Sequence, residues 1–163
     1  MTRPPFQALV DAHWRDVARL AHALAGPSDG ADVAHQAGLQ ALAAYPRADP
    51  RNIRSWLFTI TRNCAMDVHR RTRRTTPHDD PTSLSGAHSV GPPSTCALPE
   101  GPDTKLWQRV SALPERQREA VVLKYVADLD HREIASILAT TPAMSRRLVS
   151  DALATLRMTQ EPR

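Results

Sequence analysis

Aromatic residues are scarce. Three Trp, two Tyr and two Phe make up 4% of 163 residues. Strands favour aromatic and β-branched side chains, so their scarcity beside abundant Ala and Leu points to helices. Six glycines leave no glycine-rich loop of the kind that cradles phosphate. Two cysteines, Cys64 and Cys96, are too few for a disulfide framework and stand at no metal-ligand spacing. The seven histidines are scattered and form no HExxH motif, so neither a metal site nor a cofactor is expected. No nucleophile, acid and base converge in the sequence, so no enzyme is expected. The N-terminus lacks an apolar signal core. No apolar run approaches the ~20 residues that span a bilayer, so a cytoplasmic protein without a membrane partner is expected.

What is abundant is arginine. Lys and Arg total 21 against 17 Asp and Glu, for a net charge of +4, and only Lys105 and Lys124 are lysines. The planar guanidinium fork suits phosphates and base edges. The charge is unevenly placed. Residues 1–74 carry 11 Arg and 6 Asp, net +5, and residues 104–163 carry 10 basic and 7 acidic residues, net +3. Between them, residues 75–103 hold six prolines, three glycines and four acids, with Ser and Thr filling much of the rest. Such a segment cannot bury a core and reads as a flexible linker. The expected fold is all-α: two small basic helical domains, 5–74 and 104–158, joined by an acidic tether.

In the first domain, Phe6 to Leu24 reads as a helix that ends near Gly26-Pro27. Ser28 or Asp29 is placed to cap a second helix, which Pro46 stops. In the third helix, Ile53, Trp56, Leu57, Ile60, Cys64 and Val68 form one apolar stripe. The wheel then places Ser55, Phe58, Arg62, His69 and Arg73 on the opposite, outward face. Phe58 one turn from Arg62 makes a candidate stacking platform beside a phosphate-binding cation, the chemistry that single-stranded DNA needs. The competing reading is a solvated face with arginines in water. Cys64, on the apolar stripe, reads as a small buried hydrophobe.

In the second domain, Leu106 to Leu113 forms a short helix, and Pro114-Glu115 opens another with Val121, Val122, Tyr125 and Val126 as its core face. Asp130 and Glu133 fit a capping box before Ile134, Ala135 and Leu138. After Ala139-Thr140-Thr141, Thr141 and Pro142 start the last helix, with Ala143, Arg146, Arg147 and Ser150 on its outer side. Two short helices joined by a tight turn, the second offering Arg and Ser near its start, match a helix-turn-helix. An ordinary helical hairpin in a small bundle is the competing reading.

These stretches resemble the extracytoplasmic-function (ECF) group of bacterial RNA polymerase sigma factors. Ser55-Trp56-Leu57-Phe58-Thr59-Ile60-Thr61-Arg62-Asn63 is similar to the group's S-W-L-Y-x-I-A-R-N, and Asp67 and Arg70-Arg71 extend the match. Leu113 to Glu119 resembles the L-P-x-x-x-R-E opening of region four, and Leu129 to Leu138 its first helix-turn-helix helix. The order and spacing of these motifs are more specific than any one of them.

The resemblance implies roles by position. Asp32, Val33, His35 and Gln36 fall on the region-two helix that docks on core RNA polymerase. Phe58, Arg62 and Asn63 fall where the minus-ten element of promoter DNA is held open. Ala143, Arg146, Arg147 and Ser150 fall where the minus-thirty-five element is read. The resemblance also implies an anti-sigma partner. Four residues depart from the pattern. Gln36 stands for a Glu and Gly38 for an aromatic. Ser145 replaces a buried apolar residue, for which Met144 is the expected compensation, and Asp151 replaces a base. The implied function is promoter recognition and transcription initiation as a polymerase subunit. The alternatives are a helix-turn-helix regulator that does not engage polymerase, and an enzyme built on a helical bundle.

Overall fold

The computed structural model describes residues 4–75 and 104–159, so the expected linker lies outside the described residues except for Thr75. The described residues form six α-helices and no strand: α1 (Phe6–Ala44), α2 (Ile53–Thr75), α3 (Thr104–Ser111), α4 (Glu115–Tyr125), α5 (His131–Ile137) and α6 (Pro142–Met158).

The two helices expected before Pro46 are the two arms of α1. The break is Gly26, at φ 87° and ψ 175°. This left-handed φ costs glycine nothing, and Pro27 then starts the second arm where no N–H is needed. His69 Nε2, from α2, donates to the Leu24 carbonyl at 2.9 Å and so satisfies an oxygen at the end of the first arm. The arms meet closely beyond the break. A Cβ on Gly30 would lie 2.6 Å from the His22 Cα. The second arm ends at Ala44, and Pro46 lies in the 3-10 turn Tyr45–Arg47 that follows. The Tyr45 hydroxyl donates to the Pro4 carbonyl at 2.6 Å, which ties the start of α1 to its end.

The buried residues of α1 are mostly small: Ala18, Ala21, Ala23, Ala34, Ala37 and Ala41. They let α2 approach closely, and α1 with α2 forms the main contact of the first domain. In the second domain α4 and α5 pack on α6, and α4 also lies against α1 while α5 touches α2. The two domains therefore share one continuous core.

That sharing explains α4. Five consecutive residues, Glu119 to Leu123, are buried. A helix covered on two sides shows no single apolar stripe, so the expected core face is only half right. Val121 and Val122 are buried and Val126 partly so, whereas Tyr125, in the last helical position, is 61% exposed. The expected capping box is present: Asp130 Oδ1 accepts from the Arg132 and Glu133 amides, and Glu133 Oε2 accepts from the Asp130 amide at 2.9 Å.

Candidate nucleic-acid interface

α5, the turn and α6 form a helix-turn-helix. Ala139 reverses the chain with φ 49°, a left-handed conformation that alanine adopts at some cost. Thr141 then caps α6, its hydroxyl accepting from the Met144 amide at 3.2 Å, and Pro142 is the first helical residue. Val149, Ala152 and Leu156 face inward. Ala143, Arg146, Arg147 and Ser150 are exposed along one face. Arg147 Nε lies 3.8 Å from Asp151, one turn on, so the acid sits beside the arginine it follows.

Ser145 is fully buried, as expected of its position, but Met144 does not compensate for it, being 43% exposed. The Ser145 hydroxyl is 3.0 Å from His131 Nδ1. A polar residue is tolerated here because its partner comes from the first turn of α5, so the bond links the two helices of the motif. Burial, helped by Lys124 and Arg146, holds the His131 imidazole below its ordinary pKa.

In α2 the expected face is displaced. Phe58 is 0% exposed and belongs to the core, not to an outward platform. Thr61 and Ala65 are also at 0%, and Leu57 and Cys64 are buried beside them. The buried face is thus centred near Thr61, about a fifth of a turn from the apolar stripe. The sequence stripe missed this because Thr61 reads as polar. Its hydroxyl donates to the Leu57 carbonyl at 2.9 Å, which satisfies it inside the helix. The Arg54 guanidinium lies 4.9 Å from the Phe58 ring centroid. Burial, with Asp67 nearby, pushes the Cys64 thiol up, in keeping with a packing residue.

Arg62 and Asn63 stay toward the surface, Asn63 exposed and Arg62 partly so. Arg62 is already engaged: its Nε and Nη2 donate to Glu119 Oε1 at 2.9 and 2.8 Å.

The second arm of α1 presents Asp32, His35, Gln36, Leu39 and Leu42 on one exposed stripe. Val33 is not on it. It is 1% exposed and faces the core, where it floors a groove of about 310 Å³ whose walls include Asp29, Asp32, Asp67 and Arg71. Leu39 and Leu42, 51% and 52% exposed, were missed by the sequence reading. The spacing of three and four residues that continues the Asp32–Gln36 stripe would have found them. The aromatic missing at Gly38 is supplied by the other arm. A Cβ on Gly38 would lie 3.2 Å from the Trp14 ring, which therefore covers that position.

Comparison with known proteins places both domains. The family described as Sigma-70 region 2 matches residues 9–75, and that described as Sigma-70, region 4 matches residues 103–156. The chain belongs to the sigma-70 family. Among curated relatives of this sigma factor, a probable RNA polymerase sigma factor RfaY of Xanthomonas campestris pv. campestris is 31% identical over 130 residues, 77% of this chain and 32% of that protein. The ECF RNA polymerase sigma factor RpoE of Cereibacter sphaeroides is 29% identical over 85 residues, 52% of this chain and 45% of that protein. The chain thus spans less than half the length of these relatives. Two solved structures share the fold. The sigma factor RpoE of Bartonella quintana, in complex with the anti-sigma factor NepR, has a TM-score of 0.76 at 20% identity, covering 94% of each chain. CnrH, in complex with the cytosolic domain of CnrY, has a TM-score of 0.68 at 22% identity, covering 94% of this chain and 85% of that one. No helix among the described residues is long and apolar enough to cross a membrane.

Proposed function

We propose that the chain is a promoter-specificity subunit that binds core RNA polymerase and directs transcription initiation from a small set of promoters. Residues 5–74 act as region two, 75–103 as the tether and 104–158 as region four. The observation that carries the reading is the helix-turn-helix in a chain that also matches region two. Its second helix exposes Ala143, Arg146, Arg147 and Ser150 together near the N-terminus, where such a helix reaches base edges. Those residues read the minus-thirty-five element in the major groove. Arg62 and Asn63 hold the opened minus-ten strand. Phe58, being fully buried, is left out of that set and serves as packing support of the helix.

Asp32, His35 and Gln36, extended by Leu39 and Leu42, form the polymerase-docking stripe. An apolar pair flanked by polar side chains suits a protein partner better than a phosphate backbone. The protein works in the cytoplasm, has no catalytic residues of its own and is held in check by an anti-sigma protein. A regulator that ignores polymerase would need only residues 104–158, and the region-two match does not favour it.

The test is reconstitution with core polymerase, followed by sequencing of the transcripts started on genomic DNA. Discrete new start sites with a shared upstream motif are expected. Failure to co-purify with core polymerase, with sequence-specific DNA binding retained, would replace the reading with the stand-alone regulator.

A further inference from the structure

The basic face of α2 is not open to solvent along its length. Three of its arginines are met by the second domain, in opposite chain order. Arg54 Nη2 donates to the Ala127 carbonyl at 2.6 Å, Arg62 donates to Glu119 at 2.8 Å, and Arg73 lies 3.6 Å from Glu115. The central pair differs from the outer one in burial. The Arg73 and Glu115 side chains are 74% and 40% exposed, whereas Arg62 is 21% exposed and Glu119 is at 0%. Glu119 Oε1 takes both guanidinium contacts, and its second oxygen, Oε2, is buried without a hydrogen-bond partner.

We propose that Glu119 is an autoinhibitory latch. Its carboxylate occupies the arginine that the minus-ten strand needs, so domain closure and strand capture exclude each other. The proposal rests on the reading of Arg62 as a strand-binding residue. A carboxylate and a backbone phosphate are alternative acceptors for one guanidinium fork, and the N–H groups that Glu119 holds are not free for a phosphate. The energetics suit a switch. Burying a carboxylate costs desolvation that one paired oxygen only partly offsets, so the closed state is held by a small margin. Removing either partner leaves the other charge buried and unpaired, which favours opening. Opening returns Glu119 to water and frees Arg62 in the same step. The apparent affinity of the closed chain for DNA is reduced by the fraction that is open.

The test uses the full chain and a fluorescein-labelled 12-nucleotide single strand of randomised sequence. Radius of gyration by small-angle X-ray scattering reports closure, and far-UV circular dichroism checks that each variant is folded. Glu119→Gln is expected to expand the particle and tighten strand binding, by about tenfold if the open state is about 10% populated in the parent. Arg62→Glu is expected to expand it and abolish the Arg62 contribution. The swap Arg62→Glu with Glu119→Arg is expected to restore compactness but not strand binding. If folded Glu119→Gln keeps both the parent's size and its affinity, and the swap behaves like its single variants, the latch is refuted. If Glu119→Gln expands without tightening, while Arg62→Ala in that background weakens binding, closure does not mask Arg62 and only the latch is refuted. If Arg62→Ala has no effect in the opened background, the strand-binding reading of Arg62 fails, and the latch fails with it.

Discussion

Replacing Phe58 by alanine separates a packing role from a stacking role. The ring is fully buried. A phenyl side chain hides ~150–200 Å², which at about 25 cal/mol/Å² corresponds to about 4–5 kcal/mol. Truncations of buried Phe to Ala cost ~3–5 kcal/mol, in line with that figure. The Arg54 guanidinium at 4.9 Å from the centroid adds a cation–π loss of ~0.5–1 kcal/mol at a partly exposed site. Alanine's better helix propensity returns ~0.5 kcal/mol. The net expectation is a loss of about 3–5 kcal/mol, a large share of the ~5–15 kcal/mol that holds a typical protein folded. Each kcal/mol shifts Tm by about 2–4 °C in a chain of this size, so Tm should fall by about 6–20 °C. The assay is urea unfolding of the full chain followed by circular dichroism, with calorimetry for Tm. Phe58→Leu, which keeps most of the apolar volume, serves as the control and should cost ~1–1.5 kcal/mol. A loss below ~1 kcal/mol for Phe58→Ala, with a selective defect in promoter opening, would refute the packing argument, because ~1–3 kcal/mol of stacking per base is what an outward ring would supply.

Two glycines of α1 should respond oppositely to alanine. Gly30→Ala drives a Cβ to 2.6 Å from the His22 backbone and should destabilise the first domain, whereas Gly38→Ala meets only the half-exposed Trp14 ring at 3.2 Å. The ring has room to shift, so Gly38→Ala should stabilise by ~0.5–1 kcal/mol through helix propensity; urea midpoints of both variants check the pair. His131 makes the helix-turn-helix sensitive to acid. Its folded-state pKa is depressed, chiefly by burial, so the unfolded chain binds the proton more readily; the stabilisation is full above the unfolded value near 6.5 and is lost as pH falls below it. The parent's urea midpoint should therefore drop more than that of His131→Gln between about pH 7.5 and pH 5.5, and equal drops would show that His131 is not responsible. On α6, Arg146→Ala should cost ~1–3 kcal/mol at one base position and relax preference there. Asp151→Arg removes the acid 3.8 Å from Arg147 and should strengthen binding evenly across sequences with a steeper salt dependence, measured on promoter fragments over several salt concentrations.

The local rules written into this chain determined most of its elements. Gly26-Pro27, Asp130 with Glu133, and Thr141-Pro142 mark a break and two helix starts by backbone chemistry that acts within a few residues, so they were legible without the fold. The outward Arg146, Arg147 and Ser150 follow from the same local logic, because a helix capped at Thr141 with Val149 and Ala152 inward has only one face left for them. What the tertiary structure decided is which surfaces are covered. Phe58 and Val33 read as contact residues by position and motif, yet both are buried, because α2 turns its Thr61 side inward and α1 and α2 pack on each other. Trp14 fills the place of an aromatic absent at Gly38, across 24 positions of chain that no local pattern connects. Ser145 finds His131, and Glu119 finds Arg62, only once separate helices meet. Periodicity reports which side chains shun water, but a helix buried on two sides, like α4, carries no single stripe. A polar group that is satisfied by a distant partner reads as surface until that partner is in place.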